Sequence, residues 1–230
     1  MTQSPERVAV MLGGGVESTT LVRQFLGHGR PVVPVHIHCG LIWDDCETRY
    51  VRRFCAAVAS PQLAPLIEIR LPLADFLQGH WAVTGTNIPR AGDAAADLEI
   101  PLRNLTLLSF ALHRLKHLEE FALAVGTTAD NCYRDGSRTY FDKCEELLSL
   151  EVGRRMQVLT PLIGMNKTQV IRSSDSATLA LSFSCVSPTD DRHCGQCIKC
   201  ARRQAAFQAA SVADPTIYAA HQMATHVGSA

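Results

Sequence analysis

The chain has 230 residues, enough for one large domain or a domain with a small appendage. At 47% hydrophobic and 19% charged it can bury a sizeable core, which excludes a disordered chain. Its 22 Lys and Arg balance 22 Asp and Glu, and zero net charge argues against a general nucleic-acid binder, whose affinity rests on excess basic residues.

Met1 to Arg7 is polar and lacks the apolar stretch of a signal peptide. No apolar run approaches the ~20 residues of a membrane span. With scattered free cysteines, these features predict a cytoplasmic protein. Val8–Leu12 reads as a strand ending in glycines, followed by a helix over Ser18–Leu26. Pro31–Ile37 reads as a second strand, and Cys46–Ala59 as a helix with Val51, Phe54, Cys55 and Val58 on one face. Leu66–Leu71 is a third strand. Gly79–Ile100 has no periodicity and is expected to be a lid or a disordered loop. Helices follow over Asn104–Leu118, Tyr140–Leu150 and Asn166–Ser173, with strands at Phe121–Val125 and Gln157–Leu159. Cys197–Ala210 is a last helix. Strands alternating with helices predict an α/β fold, a parallel Rossmann-like sheet built from right-handed crossovers. The pairs Arg52-Arg53, Arg154-Arg155 and Arg202-Arg203 read as solvated helix faces.

Gly13-Gly14-Gly15 lies between strand and helix, where glycines let backbone N–H groups approach an anion. Ser18 and Thr19 open the helix, whose N-terminus carries partial positive charge. The arrangement suits a phosphate cradle, and it also suits a plain tight turn. It lacks the Gly-Lys-[Ser/Thr] of a Walker A loop and the G-x-G-x-x-G spacing.

Cys185, Cys194, Cys197 and Cys200 form C-x8-C-x2-C-x2-C. Four thiolates at this spacing can close a tetrahedron on structural zinc. An iron–sulfur cluster is the alternative metal reading, although the C-x3-C-P continuation is missing. A disulfide framework fits poorly with nine cysteines, five of them scattered.

The glycine loop resembles the S-G-G-x-D-S signature of the PP-loop ATP pyrophosphatases. More narrowly, the chain resembles the QueC (ExsB) family, the 7-cyano-7-deazaguanine synthases. Pro101-Leu-Arg-Asn-Leu105 is similar to that family's V-P-G-R-N-T. Val125-Gly-Thr-Thr-Ala-Asp130, with Tyr133 and Asp135, resembles its G-x-x-x-x-D and Y-x-D segments. Thr160 to Lys167 resembles T-P-L-x-x-x-x-K, and Ser184 to Phe207 resembles the zinc segment.

The resemblance implies an adenine nucleotide alpha hydrolase-like (HUP) domain over residues 1–180, a helical zinc-binding appendage over 181–212 and a weakly specified tail over 213–230. Family members adenylate the carboxylate of 7-carboxy-7-deazaguanine, substitute ammonia to give an amide, and dehydrate it to a nitrile after a second activation. By carry-over, Gly13, Gly14, Gly15, Glu17, Ser18, Thr19 and Gly126 would form the ATP site. Arg103 and Lys167 would stabilise charge on the pyrophosphate beside Mg²⁺, and Asp130 and Asp135 would lie near the substrate, with Asp135 among the catalytic groups. The partners implied are a small-molecule substrate, ammonia and a second copy in a homodimer.

Three positions depart from the family pattern: Gly13 replaces Ser, Glu17 replaces Asp, and Leu41 replaces the Gln of Y-G-Q. The last removes a group able to hydrogen-bond a purine-like ring. A different acceptor, or a non-catalytic nucleotide-binding role, is the alternative.

Overall fold

The computed structural model describes residues 7–118 and 120–219. Five parallel strands form one sheet: β1 (Arg7–Met11), β2 (Val32–His38), β3 (Ile67–Arg70), β4 (Phe121–Ala124) and β5 (Val158–Leu159), in the order β3-β2-β1-β4-β5. Helix α1 (Val16–Gly27) connects β1 to β2, and α2 (Asp44–Ala57) connects β2 to β3. The crossover from β3 to β4 holds two short helices, α3 (Leu73–Phe76) and α4 (Trp81–Thr84), and then α5 (Arg103–Leu115). Helix α6 (Arg138–Val152) leads to β5, followed by α7 (Lys167–Ser173), α8 (Ser176–Ala180) and α9 (Ile198–Ala210). No described helix is long and apolar enough to cross a membrane.

The central strands are buried on both faces, so they read as continuous apolar runs and not as alternating ones. In β1, Val8 and Val10 point into the core beneath α1, which also holds Leu21, Val22, Phe54 and Phe207. Ala9 points into the opposite core, with Val35, Leu108, Leu112 and Phe121. The edge strand β3 alternates between half-buried and exposed residues. Local chemistry fixes several helix ends. Asn166 and Gln169 form a reciprocal capping box on α7, Ser137 caps α6 by accepting from the Tyr140 N–H, and Gly153 ends α6 in the left-handed conformation.

Two expectations change. The segment over Gly79–Ile100 is a strap that contains α4 and a 3₁₀ turn (Ala95–Leu98), with Ala82, Leu98 and Ile100 buried. The Ile198 N–H donates to the Pro89 carbonyl (3.1 Å), the Ala91 N–H to that of Gln196 (3.3 Å), and the Trp81 indole to that of Asp97 (3.0 Å). Its anchors are irregularly spaced, which is why no period marks them.

The second correction is Arg203, which is fully buried and not solvated. Its guanidinium donates to the Thr216 and Ser182 hydroxyls (2.7 and 2.8 Å) and the Leu179 carbonyl (3.1 Å), lies 3.5 Å from Asp214, and stacks over Phe207. It thereby ties down residues expected to be a loose tail: Tyr218 is buried, and the Ala219 N–H donates to the His193 carbonyl. Residues 220–230 of that tail lie outside the described residues. Arg202, the neighbour of Arg203, is exposed.

One backbone position is strained. Leu102, immediately before α5, has φ 58° and ψ 13°, and its side chain is largely exposed. A β-carbon is disfavoured in this left-handed region, and the related motif carries glycine here. Leu102→Gly is therefore expected to stabilise the protein by about 0.5–1 kcal/mol, read as a raised urea midpoint with an unchanged slope.

Candidate active site and metal centre

The strand order reverses at β1, whose neighbours β2 and β4 are followed by crossovers to opposite sides. In open parallel sheets the crevice at the carboxyl ends of such strands is where ligands bind. A cavity of about 750 Å³ lies there, and the segments after β1 and β4 line it.

Gly14 adopts φ +72°, and a β-carbon on it would sit 3.2 Å from Val51, so both conformation and space favour glycine. The Gly14 carbonyl accepts from the Phe183 N–H at 2.7 Å, which pins the loop to the C-terminal segment. Gly15 is the N-cap of α1 and provides no side-chain cap, while within the first turn the Glu17 carboxylate turns back onto its own backbone N–H. A β-carbon at Gly126 would approach both Glu17 and the Ser18 nitrogen to 3.0 Å, so this glycine lets the end of β4 close against the start of α1.

Of the residues singled out from sequence, Gly13, Gly15, Glu17, Ser18, Arg103, Gly126, Asp130, Asp135 and Lys167 all line this cavity. Gly14 lies beneath it. Thr19 is fully buried and its hydroxyl donates to the Gly15 and Val16 carbonyls, turned into the helix. The Ser18 hydroxyl donates to the Gly15 carbonyl at 3.2 Å.

Lys167 is the first residue of α7. Its backbone N–H donates to Asp130 at 2.5 Å, and its ammonium forms an ion pair with Glu17. Burial would raise the Glu17 carboxyl, but the Lys167 charge and hydrogen bond outweigh it and hold Glu17 below the usual carboxylate value. Asp135 accepts from the Asn104 N–H (3.3 Å), and the Asn104 amide donates to its carbonyl (2.9 Å), which fastens the first turn of α5. In that same turn the Arg103 Nε is buried without a hydrogen-bond partner. An orphaned buried donor beside a cavity marks a place where a ligand acceptor completes the site.

The cavity holds further charged groups that the sequence did not single out. Glu47 extends from α2, with Oε1 3.7 Å from where a β-carbon on Gly13 would lie. Burial pushes its carboxyl up to about 8, with Arg103 opposing and Asp44 adding to the shift. Lys199, half-buried on α9, is drawn down to about 8 by burial and by Lys167, with Glu17 opposing. Arg202 and Glu99 complete the charged lining. Glu47 resembles an ordinary acidic first turn beside Asp44 and Asp45, and Lys199 reads as a spacer in the cysteine pattern, so only the topology reveals them.

The Glu47 shift has a definite sign. Between the ordinary value of 4.5 and the folded value of about 8, the folded state keeps a proton that the unfolded state has lost. Stability therefore falls as pH rises through that window. Glu47→Gln should remove this slope, so the variant's urea midpoint should exceed the parent's by more at pH 8 than at pH 5.

Trp43 and Trp81 stack at 5.6 Å between ring centroids and form an apolar wall of the cavity with Leu98 and Ile100. Leu41 is buried in the core and does not line the cavity. His36 and His38 are linked through Thr48: the His36 ring also bonds the Leu12 carbonyl (2.9 Å), and His38 bonds Glu68 (2.8 Å). They act as a hydrogen-bonded brace behind the loop.

Beside the cavity, the sulfurs of Cys185, Cys194, Cys197 and Cys200 all lie within 4.8 Å of one another, a grouping that can hold a metal ion. The pairs Cys185–Cys197 and Cys194–Cys200 are each 3.9 Å apart. Backbone N–H groups of Ser187, Cys194, Gln196, Cys197 and Cys200 point at these sulfurs at 3.3–3.4 Å, as suits thiolates. Cys197 is also the N-cap of α9. His193 stands apart: its Nε2 accepts from the Ser184 N–H, and its ring lies among Tyr50, Phe183 and Tyr218.

The sequence profile described as queuosine biosynthesis protein QueC matches residues 7–211. The 7-cyano-7-deazaguanine synthase of Cupriavidus necator is 31% identical over 229 residues, covering 94% of this chain and 98% of that protein. The protein of that name from Thermosynechococcus vestitus is 30% identical over 236 residues, covering 94% and 97%. One from Methanothrix thermoacetophila is 26% identical over 227 residues, covering 92% and 98%. Because the matched span takes in every strand, the glycine loop and all four cysteines, the likeness is to the whole architecture, and the chain belongs to the QueC family of queuosine biosynthesis proteins.

Proposed function

We propose that the protein is an ATP-dependent carbon–nitrogen ligase that converts 7-carboxy-7-deazaguanine and ammonia into 7-cyano-7-deazaguanine. Its relatives carry the name of that synthase. The observation that carries the reading is the convergence of a helix start whose N-cap has no side chain, the Lys167–Glu17 pair and the orphaned Arg103 donor on one crevice at the strand-order reversal.

In the first stage the substrate carboxylate attacks the α-phosphorus of ATP, giving an acyl adenylate and pyrophosphate. The α1 N-terminus receives phosphate oxygens, and Lys167 and Arg103 balance the charge that grows on the leaving pyrophosphate. Lys167 is held at the loop by Glu17, so it needs only a small displacement to meet the phosphates. Ammonia then attacks the acyl carbon, forming the amide and releasing AMP and a proton. A second ATP adenylates the amide oxygen with release of pyrophosphate, and loss of AMP and both N–H protons leaves the nitrile. The apolar wall of Trp43, Trp81, Leu98 and Ile100 excludes water that would otherwise hydrolyse the adenylate.

Magnesium, carried on the triphosphate with Glu17 as the loop's carboxylate, would supply further charge neutralisation. The four-cysteine site fits zinc: a tetrahedron with bonds of about 2.3 Å separates its sulfurs by roughly 3.8 Å, close to the 3.9 Å of both sulfur pairs. All four positions are then taken by protein, which makes that ion structural.

Incubation of the metal-loaded protein with ATP, Mg²⁺, ammonium and 7-carboxy-7-deazaguanine, followed by mass spectrometry, tests the reading. AMP together with nitrile is the expected result. AMP without nitrile would assign adenylation of another acceptor. Neither product from folded protein would favour a non-catalytic nucleotide-binding role, to which Glu17 in place of Asp would then point.

A further inference from the structure

Lys199 lies in the first turn of α9, between the sulfur donors Cys197 and Cys200. Its side chain lines the cavity and interacts electrostatically with Lys167, Glu17, Arg103 and Arg202. Four cations from α5, α7 and α9 thus share one cavity. Among them, Lys167 is paired with Glu17. Among the described residues the Lys199 ammonium has no hydrogen bond or ion pair, and Arg103 has an orphaned Nε. Glu47, the other carboxylate against the loop, is pushed by burial up to about 8, which favours its neutral form. Glu99, Asp130 and Asp135 also line the cavity, but Asp130 and Asp135 accept from the N–H groups of Lys167 and Asn104, so the unpaired Lys199 ammonium and the orphaned Arg103 donor still call for an acceptor, and a polyphosphate can span both where a single carboxylate cannot.

We propose that Lys199 is a binding residue for the pyrophosphate portion of the nucleotide, delivered into the active site by the metal loop. The inference rests on the ATP reading above and deepens it. Cys197, two residues before it, and Cys200, immediately after it, both belong to the four-sulfur group that can hold an ion. The direction of the Lys199 stem is therefore set by metal coordination, and the metal site becomes a part of phosphate recognition as well as a clamp on the fold.

The test is calorimetric titration of metal-loaded protein with inorganic pyrophosphate, ATP and AMP at low and high salt, for the parent, Lys199→Met and Lys199→Arg. Metal stoichiometry and melting temperature are measured on each. Methionine keeps the length of the stem, so the metal loop should stay intact. The expected result is a loss of about tenfold in pyrophosphate and ATP affinity for Lys199→Met, little change for AMP, substantial recovery in Lys199→Arg, and a smaller loss at high salt. Pyrophosphate affinity within twofold of the parent, or an equal loss for AMP, would overturn the proposal while leaving the ATP reading in place. A parent that binds neither pyrophosphate nor ATP would remove both readings together.

Discussion

Lys167→Ala is expected to lower kcat/KM for AMP formation by about 10²–10³, the range typical of losing a group that stabilises developing charge. The helix bearing it should survive, because its N-cap is Asn166 and the backbone bond from residue 167 to Asp130 does not need the side chain. Glu17 suffers most. Its carboxyl loses the charge that holds it down, and any fraction that stays ionised repels the incoming phosphates. Affinity for ATP should therefore fall along with turnover. Pairing the change with Glu17→Gln should restore part of the ATP affinity and little of the turnover. Pyrophosphate release measured across this double-mutant cycle checks both statements. A loss of less than tenfold in the single variant would remove Lys167 from the chemistry.

Cys197→Ser should produce the largest loss of stability. Cys197 has two duties: its sulfur belongs to the four-sulfur group that can hold a metal, and it caps α9 by accepting from the Cys200 N–H. Serine caps helices well, so this substitution spares the cap and isolates the sulfur. A structural four-thiolate site contributes of the order of 10 kcal/mol, and losing one ligand forfeits a large part of that. With α9 go the buried Arg203 and Phe207, which pack into the core beneath α1. At roughly 2–4 °C per kcal/mol for a chain of this size, the melting temperature should drop by about 10–20 °C. Metal content should fall well below one ion per chain. Cys132→Ser, at an exposed position outside the cluster, should change neither quantity.

Short-range chemistry made much of this molecule legible in its sequence. The strands announce themselves as apolar runs because both faces are covered, and α5 does so through Leu108, Ala111, Leu112 and Leu115 on one side. The cysteine spacing is local, so the four sulfurs can be grouped before any fold is known. What sequence alone hides depends on contacts between distant segments. Arg203 next to Arg202 looks like solvated charge, and the acceptors that bury it come from distant segments, Leu179 and Ser182 on one side and the returning Asp214 and Thr216 on the other. The strap over 79–100 has no period because its anchors are single residues, Pro89 and Ala91 held by the cysteine loop and Trp81 held by Asp97 within the strap. Glu47 enters the cavity from a helix with no recognisable motif, and Lys199 from a helix whose opening cysteine motif marks the sulfurs and not the residue between them. Leu102 is the reverse case, a side chain that conflicts locally with the left-handed backbone its neighbours impose.

The glycine loop is fixed by the Phe183 N–H bonding to the Gly14 carbonyl, and β1 lies between strands that follow it in the chain. At ribosomal speeds of roughly 5–20 residues per second, about 8–34 s separate the synthesis of these two partners. For the greater part of that interval, until Phe121–Ala124 are made, Val8, Ala9 and Val10 have no β4 to pair with, and at its end they still have no α9 to cover them. The nascent chain must therefore shelter its future central strand for much of its translation, and the crevice beside the glycine loop comes into being only as the last quarter of the protein emerges.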